Sequence, residues 1–181
     1  MLYIDIDGVL ANTDEYIYSL DPRSRDDFHL FFKTIYKHAD KVFRDSSMLV
    51  SKEDLSRIKE PYCLLTALPN RRKLDSFCEC EDELYNLIET LSNNKEHWVR
   101  KNIGDARLII VDSRKSKLAY CLTSNDTLID DSKSTCKGWI NKGGKAFTSL
   151  YNYLTNNNLS IKTNNKKEKK IEEQEDKEVL W

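Results

Sequence analysis

The chain has 181 residues, with 29 Lys and Arg against 30 Asp and Glu and a formal net charge of −1. That is long enough for one full domain with a small insertion, and the near-neutral balance gives no overall reason to expect nucleic-acid or membrane binding. No stretch approaches the roughly 18 apolar residues of a membrane span.

In chain order, Met1 to Ile6 reads as a buried strand, ending in Asp5-Ile6-Asp7-Gly8. The chain starts directly on this strand pattern, with no signal segment ahead of it. The five cysteines, odd in number and irregular in spacing, fit free thiols. Both features lead us to expect a cytoplasmic, reducing location. Cys78-Glu79-Cys80 lacks the second ligand pair that a closed zinc site needs.

Residues 13–59 form a segment of another kind. A helix starting at Asp26-Asp27 presents Phe28, Leu30, Phe31, Ile35, Tyr36, Ala39, Val42 and Phe43 on one broad apolar face. Ser51-Lys52-Glu53-Asp54 has the form of a capping box, with Leu55 and Ile58 inward. This helical insertion is expected to cover the mouth of the site at Asp5 and Asp7, with its aromatic residues mostly in its own core.

Glu60-Pro61 breaks the pattern, and Tyr62 to Leu65 is a second strand, with Thr66 at its tip. Arg71 and Arg72 read as surface charge. A helical pattern follows over 78–94, then a further turn or two around Trp98 and Val99, with Gly104 to end it. Residues 106–111 are a third strand, 118–122 a short helix and 126–129 a fourth strand, ending in Asp130-Asp131. Residues 134–142 read as a helix with Trp139 and Ile140 inward, 145–147 as a last short strand, and Leu150, Tyr151 and Leu154 as the inward positions of a final helix. From about Ser160 the periodicity stops. Lysines precede acids over 166–176, the wrong order for a helix dipole, so 159–181 is expected to be a charged, disordered tail.

Strands alternating with helical patterns imply an α/β fold: a Rossmann-like parallel sheet with helices on both faces. Ligands bind outside the carboxyl ends of such strands. Asp5, Asp7, Thr66, Lys115, Asp130 and Asp131 all lie at or just after such ends. Carboxylates there suit a hard cation, usually Mg2+, and one of them suits nucleophilic attack on phosphorus.

Asp5-Ile6-Asp7-Gly8-Val9-Leu10 resembles the first motif of the haloacid dehalogenase (HAD) superfamily of phosphatases. Thr66 resembles the second motif, Lys115 the third, and Leu128-Ile129-Asp130-Asp131-Ser132 the fourth. Within that superfamily the chain looks most like the 5'(3')-deoxyribonucleotidases and their bacterial and phage relatives. The stretches that carry this are Asp7 to Asn12, Lys95-Glu96-His97-Trp98-Val99-Arg100-Lys101, and Trp139 followed by Gly143-Gly144. The resemblance spans about residues 1–150 and implies a core of 1–12 and 60–158 with a small helical cap of 13–59.

The resemblance also implies roles. Asp5 would be the nucleophile, and Asp7 would protonate the leaving oxygen and then activate water. Thr66, with the Ala67 backbone N–H, would hold a phosphoryl oxygen, and Lys115 would neutralise the phosphoryl group and Asp5. Asp130 and Asp131 would hold Mg2+ together with Asp5 and the Asp7 backbone carbonyl. Three departures stand out. The spacing from Lys115 to Asp130 is longer than these nucleotidases usually show, so Lys117 competes with Lys115, which is the preferred choice. The insertion is short for the family's cap. Thr66 is followed by Ala67-Leu68-Pro69. The expected activity is hydrolysis of nucleoside or deoxynucleoside monophosphates. The alternatives are a phosphatase for polynucleotide 3'-ends or another phosphometabolite, in which case the lysine-rich tail would help bind nucleic acid, and a non-catalytic interaction protein.

Overall fold

A computed structural model describes residues 1–156, so the tail predicted over 159–181 lies outside the described residues. Five parallel strands make one sheet: β1 (Leu2–Ile4), β2 (Tyr62–Ala67), β3 (Leu108–Val111), β4 (Thr127–Ile129) and β5 (Lys145–Phe147). Their spatial order is β3-β2-β1-β4-β5. The chain therefore winds outward from β1 to β3, then returns to the other side of β1. The crevice of such a sheet opens where the winding reverses, here between β1 and β4. Leu64, Leu65, Leu128 and Ile129 are fully buried, the all-round apolar character of strands covered on both faces.

Between β1 and β2 lie α1 (Thr13–Leu20), a 3-10 turn (Pro22–Arg25), α2 (Phe28–Lys37) and α3 (Lys52–Ser56). The Asp27 carboxylate caps α2 by accepting from the His29 and Leu30 N–H groups. The helix predicted to run to Phe43 stops at Lys37, and 39–45 is a series of turns. Ala39, Val42 and Phe43 still reach the apolar interior from those turns. Ser51 caps α3 as its sequence suggests, accepting from Asp54 N–H at 3.0 Å.

Next come α4 (Arg71–Asp75) and α5 (Glu81–Asn102), which is one continuous helix where the sequence suggested two pieces. Gly104 ends it at φ +96°, its N–H bonded to Val99 C=O. A 3-10 turn (Lys115–Tyr120) leads to β4, and α6 (Lys133–Asn141) and α7 (Leu150–Asn156) flank β5. Trp139 is fully buried, but Ile140 is 54% exposed, because the next position on α6 points away from the sheet. On α7, Tyr153 rather than Tyr151 packs inward.

Two apolar interiors matter for the site. One lies against the sheet and joins Ile4, Ile6, Leu64, Trp98, Val99 and Ile129, with Leu55 from α3 and Ile58 just after it. The other joins Ile17, Phe32, Ile35, Val42 and Phe43 of the insertion to Leu84, Leu87 and Leu91 of α5. Among the described residues, no helix is long and apolar enough to cross a membrane.

Candidate active site

Sheet register brings the acids together. Ile4 pairs with Ile129, so Asp5 and Asp130 leave adjacent strand tips side by side. Asp5 N–H donates to Ile129 C=O at 2.8 Å, and Asp130 N–H to Phe147 C=O at 3.0 Å, which extends both strands by one rung. On the other flank, β2 runs further than β1, so Thr66, fully buried, reaches the level of the turn after Asp5.

Asp5 is 6% exposed and Asp130 1%. Two buried carboxylates need a cation, and Lys117 provides it: its Nζ lies 2.7 Å from Asp5 Oδ2 and 2.7 Å from Asp130 Oδ2. Lys117 is itself 1% exposed. Burial would lower its pKa, but the two carboxylates outweigh burial and raise it. Lys115, the preferred residue from the sequence, is exposed at the start of the 3-10 turn. The assignment is corrected to Lys117. Side chains in a 3-10 turn advance about 120° per residue, so two positions separate the inner side from the outer.

Asp131 completes an acidic triad: carboxylate oxygens of Asp5, Asp130 and Asp131 all lie within 4.8 Å of one another. Gly8 makes this approach feasible. It sits at φ +73°, and a Cβ there would fall 2.1 Å from Asp131 Oδ2. Crowding against Gly8 desolvates the Asp131 carboxyl although much of the residue is exposed. That burial, with the charges of Asp5 and Asp130, pushes it up to about 7. Burial likewise pushes Asp5 up to about 6; the Lys117 charge opposes the shift and Asp130 adds to it. Protons retained this close to neutrality mark a surplus of negative charge that a cation would relieve.

Asp7 stands in a different environment. The Thr13 hydroxyl, in the first turn of α1, donates to its Oδ1 at 2.7 Å. On Oδ2 it meets the Thr66 hydroxyl at 3.2 Å and the ammonium of Lys95. Burial would raise its pKa, but Lys95 and then Thr13 hold it below the usual carboxylate range. Two carboxylates two residues apart are thus driven in opposite directions by their surroundings.

Lys95 is the residue that sequence reasoning missed, since it stood only as part of a stretch of resemblance. A signal was present: Leu84, Leu87, Leu91, Lys95 and Trp98 share one helical stripe, so the lysine falls in an apolar register. Ala67, the remaining candidate from the sequence, ends β2 opposite Val111. Arg71 and Arg72, read as surface charge, are exposed, and Phe28, expected in the insertion's core, is 66% exposed.

No family model matches this chain, and no curated protein or solved structure matches it either.

Proposed function

We propose that this chain is a magnesium-dependent phosphomonoester hydrolase of the HAD type, acting on nucleoside or deoxynucleoside monophosphates. The observation that carries the reading is the pairing of Asp5 and Asp130 on one buried lysine, with Asp131 beside them and a separately held Asp7 two residues on. The substrate class is carried by the nucleotidase-like stretches of the sequence.

Asp5, Asp130 and Asp131 fit a hard divalent cation: every donor is an oxygen, and the cluster is over-charged without one. Bound magnesium would offset the repulsion between the attacking carboxylate and the phosphate dianion. Asp5 attacks phosphorus. Asp7 takes up a proton on substrate binding, when the phosphate dianion beside it opposes the pull of Lys95 on its carboxyl. An aspartyl-phosphate then forms as the bond to the ester oxygen breaks, and that oxygen takes this proton from Asp7. Asp7, again a carboxylate, then accepts a proton from the water that cleaves the acyl phosphate and releases inorganic phosphate. Lys117 holds Asp5 in place and balances charge, and Thr66 offers its hydroxyl to a phosphoryl oxygen.

The test is phosphate release from a panel of 5'- and 3'-nucleotides, oligonucleotide 3'-phosphates and simple alkyl phosphates, with magnesium and with chelator. We expect magnesium-dependent turnover of monomers that Asp5→Asn abolishes. Turnover that survives Asp5→Asn would refute the mechanism, and a preference for oligonucleotides would move the substrate class to polynucleotide ends.

A further inference from the structure

Lys95 has no solvent exposure, and it sits on α5 between Leu91 and Trp98 in the apolar stripe. A buried ammonium is costly unless it is paired. Here it meets Asp7 Oδ2, lies 3.0 Å from Thr66 Oγ1, and rests 4.0 Å from the centroid of the Phe43 ring. It does not join the triad, whose own counter-ion is Lys117.

Phe43 is the only non-glycine residue with positive φ among the described residues, at +69°. A bulky side chain stays in the left-handed region only when its surroundings hold it there. Those surroundings come from α5. Asn94 Nδ2 donates to Ala39 C=O at 2.6 Å and to Val42 C=O at 3.0 Å, and Trp98 Nε1 donates to Ser46 C=O at 2.7 Å. Two side chains flanking Lys95 on the helix thus pin the loop that carries Phe43. The loop in turn seats an aromatic face on the Lys95 ammonium.

We propose that Lys95, held by Phe43, is the positioning residue for Asp7. It fixes one carboxylate oxygen beside Thr66 while Thr13 fixes the other, so the carboxyl is aimed at the leaving-group oxygen rather than at the metal acids. This inference rests on the phosphatase reading above. The two buried lysines then act on different groups. Lys117 serves the attacking carboxylate, and Lys95 serves the group that handles the leaving oxygen.

The leaving group provides the test. Dinitrophenolate departs without a proton, whereas an alkoxide needs one. The full chain, with magnesium, is assayed on 2,4-dinitrophenyl phosphate and on the best alkyl phosphate of the panel, as wild type, Asp5→Asn, Lys95→Met and Lys95→Arg. Lys95→Met should lower kcat on the alkyl ester by about 100-fold, in the range of lost general-acid assistance, and on the dinitrophenyl ester by less than about fivefold. KM should stay nearly constant for both, and Lys95→Arg, which keeps a cation, should recover at least about tenfold of the alkyl rate. Retained turnover of the activated ester also shows that the variant is folded. An equal loss on both esters, from misfolding or from weakened phosphate binding, overturns the inference, as does no loss on either. A wild type inactive on both esters, or activity that survives Asp5→Asn, overturns the phosphatase reading and the inference with it. An active, Asp5-dependent wild type with a flat Lys95→Met profile overturns the inference alone.

Discussion

Lys115 and Lys117 differ by two positions and by nearly everything else. Strand-tip spacing places a lysine in this stretch but does not resolve which, because the turn type after β3 is not legible in Ser113-Arg114-Lys115-Ser116-Lys117. Burial and two 2.7 Å contacts select Lys117. Removing one member of a buried charge cluster leaves the others uncompensated, so Lys117→Met should cost about 3–5 kcal/mol in denaturant unfolding and abolish turnover. Lys115→Ala, at an exposed position, should change stability by less than about 0.5 kcal/mol. Comparable losses in the two variants would contradict the assignment. The grouping of Asp5 with Asp130 and Asp131 was legible because each acid follows an apolar strand, and parallel strands bring their carboxyl ends to one edge. Lys95 was hidden by its type, since a lysine in a charged helix ordinarily faces water.

At the scale of elements, the strands and the caps read well from sequence and the insertion read less well. Short apolar runs between breakers fix β2 and β5, and Ser51 fixes α3. α1 escaped detection because only Thr13 and Ile17 of its eight residues are buried, too few to make a stripe. α2 ends early because the turns of 39–45 carry the remaining apolar residues inward without helix.

The start of β4 makes its own prediction. Asp126 is 6% exposed. Its carboxylate accepts from the Leu122 and Thr123 N–H groups at 3.0 and 2.7 Å and from the Met1 ammonium at 2.8 Å. Burial alone would raise its pKa, but the ammonium and the two N–H donors outweigh burial and bring it down to about 2. A carboxyl depressed on folding contributes stability above its unfolded value, and that contribution fades as pH falls from about 4 toward 2. Asp126→Asn should therefore cost about 2 kcal/mol near neutral pH and almost nothing below pH 2. Parallel urea titrations of both proteins across that range would show it; a difference that persists at low pH would rule out this source.

For the whole molecule, the reversal of winding at β1 and β4 is what brings Asp5, Lys117, Asp130 and Asp131 together from distant parts of the chain. Apolar runs alternating with helical patterns made the α/β class legible, but strand order was not, because no local pattern encodes which side of β1 the chain returns to. The acid surplus at that crevice has a global readout. Asp5 and Asp131 carry raised values of about 6 and about 7. The folded state then binds more protons than the unfolded chain between about pH 4 and 7, so the cation-free protein loses stability as pH rises through that window. Magnesium should restore it, by binding the ionised folded form alone. Melting temperatures at pH 5 and pH 8 should therefore diverge with chelator and converge with magnesium, and Asp131→Asn should blunt the divergence. A melting temperature that rises with pH in chelator would contradict this account of the site.

One helix joins both interiors. Over its 22 residues, about 33 Å, α5 lends Leu84, Leu87 and Leu91 to the insertion and Trp98 and Val99 to the sheet, with Lys95 between them. The insertion is therefore not a module. It could not be excised or exchanged for a relative's without baring three leucines, nor swing as a rigid lid without breaking the core it shares with α5. On the proposed phosphatase reading, remodelling of substrate choice would have to proceed residue by residue around the fixed spine of α5, with Asp7, which Lys95 of that helix meets, exposed to each change.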